Sequence, residues 1–191
     1  MNSATGIFEI ITGPMFSGKT TELIRRADRL QRAGKRVIVI RPQLDTRYSN
    51  GECIITHTKQ TFTAKRISAI SELIDIINDY DAILIDEAHF FSDLSICAQF
   101  ADYGKIVILA GLVGDFNREP FTNLTNLISR AYTTTNNSPV TFLTAICKCG
   151  AEAAFTAHRS AIESSERIDV GGDEKYVPLC GVCYSKKITK S

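Results

Sequence analysis

Three groups of residues in this chain have the types and spacing to do chemistry. They are a lysine and a hydroxyl closing a glycine-rich turn, two adjacent carboxylates ending an apolar run, and four cysteines grouped near the C-terminus. The turn is GPMFSGKT, residues 13–20, which fits G-x-x-x-x-G-K-[ST] in full between the run IFEIIT and the amphipathic segment TELIRRADRLQRAG. Gly13 and Gly18 let the backbone through Pro14, Met15, Phe16 and Ser17 fold around phosphate with N–H groups inward. The helix N-terminus adds its positive end. Lys19 would neutralise charge on the β- and γ-phosphates, and the Thr20 hydroxyl would ligate Mg²⁺. The chemistry implied is ATP binding.

The carboxylates lie in AILIDEAHFF, residues 82–91. Asp86 ends an apolar strand, where such an aspartate holds Mg²⁺ directly or through water. Glu87 follows at the edge where ligands bind in open α/β sheets, and can take a proton from an attacking hydroxyl or water. His89 has two readings, a nucleotide contact or a partner for a backbone group. The letters D-E-A-H also occur in nucleic-acid helicases, but those need two ATPase lobes, the second carrying an arginine finger. A chain of 191 residues with one phosphate loop and a net charge of +1 holds neither a second lobe nor a strongly basic groove.

Cys147 and Cys149 form a CxC, and Cys180 and Cys183 a CxxC, together the usual complement of a structural zinc site. The N-terminus has no positive region before a long apolar run, and no stretch approaches a membrane span, so a cytoplasmic protein with reduced thiols is expected. Neither nucleic acid nor membrane is an expected partner. Cys53 and Cys97 have no evident partners.

These groups need elements to position them. Apolar strands are expected at 7–12, 36–40, 82–86, 105–111 and 139–146, and helices from Thr20 to Gly34 and at 68–79, 93–104 and 125–132. Strands apolar throughout, alternating with amphipathic helices, mean an α/β fold: a P-loop (RecA-like) parallel sheet covered by helices. After Cys147 the pattern turns short and turn-rich. The expected division is an ATP-binding α/β domain over 1–145, a small zinc-ribbon-like domain over 146–186, and a disordered tail over 187–191.

In order along the chain, GPMFSGKTTEL (13–23), DTRYS (45–49), DEAHFF (86–91), AGLVGDFNREPF (110–121), GGDEKY (171–176) and the terminal CxxC resemble the type II thymidine kinases, which include cytosolic vertebrate, bacterial and poxviral enzymes. The resemblance runs from about Phe8 to Tyr184. It implies transfer of the γ-phosphate of ATP to the 5′-hydroxyl of thymidine or deoxyuridine, with Glu87 as catalytic base. Asp86 and Thr20 would be the magnesium pair and Lys19 the phosphate clamp. Asp45, Thr46 and Arg47 would lie beside the phosphates, and Phe116 against the thymine ring. Arg167, Ile168, Asp169, Val170 and Gly171, with Tyr176, would form a lasso loop holding the base, and Thr156 and Met15 would lie near its 5-methyl group. It further implies a homotetramer inhibited by thymidine triphosphate. His89 stands where most members have glutamine, Val113 where many have aspartate, and the CxC is shorter than the usual CxxC. The rival readings are a nucleic-acid-stimulated DEAH-type ATPase, a zinc-ribbon binding module with a vestigial nucleotide site, and a same-fold kinase for another deoxynucleoside.

Overall fold

The computed structural model describes residues 6–45, 53–55, 61–134, 138–159 and 171–188. Its elements are β1 (Ile7–Thr12), α1 (Lys19–Arg32), β2 (Val37–Pro42), β3 (Cys53–Ile55), β4 (Thr61–Thr63), β5 (Lys65–Ile67), β6 (Ala82–Ile85), α2 (Ile96–Asp102), β7 (Ile106–Gly111), α3 (Thr122–Thr125), β8 (Val140–Phe142), β9 (Ala145–Ile146), β10 (Glu152–Ala153), β11 (Phe155–His158), β12 (Tyr176–Leu179) and α4 (Gly181–Ile188). Six strands form one sheet in the order β5-β2-β6-β7-β1-β8, every pair parallel. β7 therefore separates β1, which leads into the phosphate loop, from β6, which leads into the carboxylates.

Strand alternation sends neighbouring side chains to opposite faces, and both faces are apolar. Phe8, Ile10, Ile38, Ile40, Ile83, Ile85, Val107 and Leu109 pack on one face with Cys97, Ala98, Phe100 and Ala101 of α2. Ile11, Val39, Leu84, Ile108 and Ala110 pack on the other with Leu23, Ile24 and Ala27 of α1. Full burial of each Leu, Ile or Val contributes roughly 1.5–3 kcal/mol, which makes the sheet a rigid platform for its carboxyl edge.

Several expectations are modified. The segment 68–79 is not one α-helix but two 3₁₀ turns, Ile70–Leu73 and Ile77–Asp79. The Asp93 carboxylate accepts the N–H groups of Ile70 and Ser71, and Glu72 accepts those of Ser68 and Ala69, so local side chains fix a tight first turn. The helix expected at 93–104 shortens to α2. The one expected at 125–132 starts earlier as α3 and ends in a 3₁₀ turn, Ile128–Arg130. The run 139–146 divides: β8 joins the main sheet, and β9 leaves it to pair antiparallel with β10. α4 extends to Ile188, so the start of the expected disordered tail is helical.

Candidate active site

The carboxyl ends of β1, β2, β6 and β7 deliver four loops to one edge of the sheet, which is where ligands bind in open parallel sheets. The first is the phosphate loop. Gly13 at φ 150° could carry no side chain, since a Cβ there would lie 2.3 Å from the Leu143 carbonyl oxygen. The Lys19 ammonium donates to the Pro14 carbonyl at 2.8 Å, so the cation sits within the loop it follows. Ser17 Oγ is buried with no hydrogen-bond partner, and an oriented phosphate oxygen would satisfy it. These residues fit a nucleotide phosphate. Met15 is different, because its N–H donates to Thr156 Oγ1 at 2.9 Å, and Phe16 packs into the core of the C-terminal lobe. Part of this loop therefore faces the second lobe.

The Thr20 hydroxyl lies 3.2 and 3.1 Å from the two carboxylate oxygens of Asp86, which is itself 6% exposed. The hydroxyl and the carboxylate, 66 residues apart in sequence, offer hard oxygens side by side, the donor chemistry Mg²⁺ prefers. Glu87 adopts the left-handed conformation, φ 48° and ψ 41°, which is uncommon for a residue with a long side chain. Such backbone strain costs of order 1–3 kcal/mol and gathers at functional sites. His89 is buried, with Nδ1 accepting the Leu112 N–H at 3.2 Å and lying 3.7 Å from Glu87 Oε2.

At the end of β2, the Asp45 carboxylate accepts from Arg41 Nη2 at 2.8 Å, a pair 1% and 3% exposed, and Arg66 Nη2 donates to the Asp45 carbonyl. Asp45 thus braces its own loop. Thr46 and Arg47 lie outside the described residues, as do Arg167, Ile168, Asp169 and Val170.

After β7 the chain makes a tight loop in which Asp115 Oδ1 accepts the N–H groups of Asn117 and Glu119, and Gly114 bridges Pro120. This loop holds Phe116 with its ring 5.8 Å from that of His158 and 6.2 Å from that of Tyr176. Val113 packs against the main core as an apolar residue. The Tyr184 hydroxyl donates to the Phe116 carbonyl at 2.6 Å, and the Arg118 guanidinium lies over the Tyr184 and Phe155 rings. Burial pushes the Tyr184 phenol up from its ordinary value, so it remains a donor through the neutral range.

Cys147, Cys149, Cys180 and Cys183 bring their sulfurs within 4.8 Å of one another. A tetrahedral centre with metal–sulfur bonds of about 2.3 Å needs sulfurs about 3.8 Å apart, and Cys149 and Cys180 stand at 3.7 Å. The CxC spacing therefore suffices, and the cluster could hold a metal such as zinc. Backbone N–H groups of Cys149 and Cys180 hold the Cys147 thiol below its ordinary value, at about 6, while hydrogen bonds to Cys147, Cys149 and Cys180 push Cys183 up. Thiols sharing protons in this way suit a cation that displaces them. A closed four-sulfur set would leave no open coordination position on a bound metal. Cys97 is buried in the main core, apart from this cluster, with its thiol pushed up by burial.

The structure thus places Gly13 to Thr20, Asp45, Asp86, Glu87 and His89 along the carboxyl edge of the sheet, with Thr156 and Tyr176 on β11 and β12 and Phe116 packed near Tyr176. Gly171, at the margin of the described residues, is buried. Sequence reasoning missed Tyr184, Arg118, Asp115 and Asn123. Asn123 Nδ2 donates to the carbonyls of both His89 and Phe91. A signal existed only for the Asp115–Phe121 stretch, in its density of turn residues.

A family model described as thymidine kinase matches residues 6–184. Among curated proteins, a thymidine kinase from Raccoon poxvirus is 42% identical over 181 residues, spanning 94% of this chain and 97% of its own. Thymidine kinase 1 from Dictyostelium discoideum is 40% identical over 185 residues, spanning 94% of this chain and 78% of its own. A solved structure of Bacteroides Pif1 bound to ssDNA superposes with a TM-score of 0.32 at 17% identity, covering 63% of this chain and 32% of that one, too weak a likeness to bear on the fold or the reaction.

Proposed function

The chain belongs to the thymidine kinase family, and we propose that it transfers the γ-phosphate of ATP to the 5′-hydroxyl of thymidine and of deoxyuridine. The observation that carries this reading is the placement of Glu87 one residue beyond an Asp86 that meets Thr20, beside a phosphate loop containing Lys19. Phosphoryl transfer needs the two oxygens in line, charge stabilised and water excluded. The loop amides and Lys19 hold the phosphates. Thr20 and Asp86 would hold Mg²⁺, which when bound supplies charge neutralisation across the β- and γ-oxygens. Glu87 accepts the proton of the 5′-hydroxyl, a contribution of typically ~10²–10⁴-fold.

Phe116, Thr156 and Tyr176 would line the nucleoside side. Cys147, Cys149, Cys180 and Cys183 could hold zinc, which would brace the lobe that carries Thr156 and Tyr176. A methyl pocket discriminates by only ~1–3 kcal/mol, so deoxyuridine should fall within roughly 10- to 200-fold of thymidine in kcat/KM. Backbone hydrogen bonds to the pyrimidine edge would reject purines more strongly, because a mismatch leaves buried groups unpaired. The same reading carries the expectation of a cytoplasmic homotetramer inhibited by thymidine triphosphate. Among the described residues no helix is long and apolar enough to cross a membrane.

The test is a nucleoside panel with radiolabelled ATP and Mg²⁺. Label in thymidine and deoxyuridine monophosphates is expected. Preference for deoxyadenosine or deoxyguanosine would point to the same-fold alternative. ATP hydrolysis stimulated by single-stranded DNA without nucleoside would point to a motor instead.

A further inference from the structure

The proposed chemistry leaves one buried ring unused. His89 is 4% exposed, and its ring lies between the Glu87 turn and the exit of β7. Its Nδ1 accepts the Leu112 N–H at 3.2 Å, which ties the ring to the start of the loop after β7. The same nitrogen lies 3.7 Å from Glu87 Oε2, so the ring packs directly against the carboxylate.

Three further observations show that the ring is held there. A Cβ on Gly111 would come within 3.2 Å of His89 Nδ1 and of its main-chain nitrogen, so glycine makes room for it. Asn123 clasps the carbonyls of His89 and Phe91 at 2.7 and 2.8 Å. The ring also lies against Phe90 and Phe121, at centroid distances of 4.3 and 4.7 Å. Leu112, which donates to the ring, opens the loop that carries Phe116. A left-handed Glu87 persists only where its surroundings over-determine it, and these contacts provide that.

We propose that His89 is a positioning residue that fastens the Glu87 turn to the Phe116 loop, so that the proton acceptor and the ring facing the nucleobase keep a fixed separation. The proposal rests on the reading of Glu87 as proton acceptor. Loss of the fastening displaces the carboxylate by a fraction of its working distance, and misplacement of about 1 Å costs on the order of 10²-fold.

The experiment compares His89→Ala, His89→Asn, Gly111→Ala and Glu87→Gln in steady-state thymidine phosphorylation, equilibrium ATP binding and thermal midpoint. His89→Ala should lose ~10- to 100-fold in kcat, with ATP affinity within roughly twofold of the parent. His89→Asn, whose Oδ1 takes the place of Nδ1, should recover most of the loss. Gly111→Ala, whose Cβ would press on Leu124 Cδ2 at 3.0 Å and on His89 Nδ1 and main-chain N at 3.2 Å, should lower kcat in the same direction and covers the case in which His89→Ala does not fold. Turnover of His89→Ala or Gly111→Ala within roughly threefold of the parent would overturn the proposal. So would an Asn variant as impaired as the Ala variant, or a loss confined to thermal midpoint. Near-normal turnover by Glu87→Gln would instead remove the reading of Glu87 itself, an outcome the other variants cannot mimic.

Discussion

Asp45 and Arg41 neutralise each other almost out of contact with water, and this sets what each can do. Removing one partner of a buried pair leaves the other charge uncompensated, a loss of ~3–5 kcal/mol. Asp45→Ala should therefore lower the unfolding free energy measured by urea titration by about that amount, and a free energy unchanged from the parent would show that the pair does not brace the loop. Residues whose meaning lies in adjacent letters were legible in the sequence: Lys19, Thr20, Asp86 and Glu87 belong to short patterns with fixed spacing. The Thr156–Met15 and Tyr184–Phe116 bonds were not, because their partners stand 141 and 68 residues apart and no local pattern joins them.

Among the elements, α1 carries a charge cluster with a testable pH response. Hydrogen bonds from Arg25 and then Arg26 hold the Glu22 carboxyl down from its ordinary 4.5 to about 2. A carboxyl depressed by folding contributes stability above its unfolded value and loses it as pH falls toward the folded one. Glu22→Gln should therefore flatten the acid limb of the stability profile between pH ~4.5 and ~2 and leave its shape at neutral pH unaltered. An unchanged acid limb would refute the assignment. Partial exposure to solvent keeps the effect small. In the loop before α1, Gly13→Ala would drive a Cβ to 2.3 Å from the Leu143 carbonyl oxygen. ATP binding should be lost while the apolar sheet still folds, as read by nucleotide titration beside circular dichroism. The strands of the main sheet were legible because uninterrupted apolar runs mark a doubly covered sheet. The 68–79 segment misled because Ile70, Leu73 and Ile74 suit an α-helical face. In the structure Ile70 and Leu73 are buried three residues apart, and Ile74 is 53% exposed, which is the three-residue period of a 3₁₀ turn. β5, only Lys65–Ile67, was too short and too polar to announce itself.

At the scale of the whole molecule, the proposed nucleoside side of the site lies where the Phe116 loop meets α4 and the C-terminal strands. Tyr184 on α4 holds the Phe116 carbonyl, and Arg118 lies across the rings of Tyr184 and Phe155. Tyr184→Phe removes the hydrogen bond and keeps the ring. KM for thymidine should rise several-fold, roughly as a net bond of ~0.5–1.5 kcal/mol predicts, with ATP affinity unaltered. An unchanged thymidine KM would show that the clasp is idle. Cys183→Ser, or treatment with a strong chelator, should act more severely in the same direction, because either would remove the four-sulfur centre that could staple a lobe with a small core. ATP titration of the stripped protein separates loss of this lobe from global unfolding.

The Met15 amide bonded to Thr156 also makes the phosphate cradle mechanically continuous with the C-terminal end of the chain. A molecule pulled from that end would transmit tension into residues 13–18 through this hydrogen bond and the packed Phe16 ring, and into the Phe116 loop through Tyr184. Grip on nucleotide should then fail at forces well below those that shear the central strands. Sustained load applied through the C-terminus should therefore weaken nucleotide binding before it disrupts the central sheet.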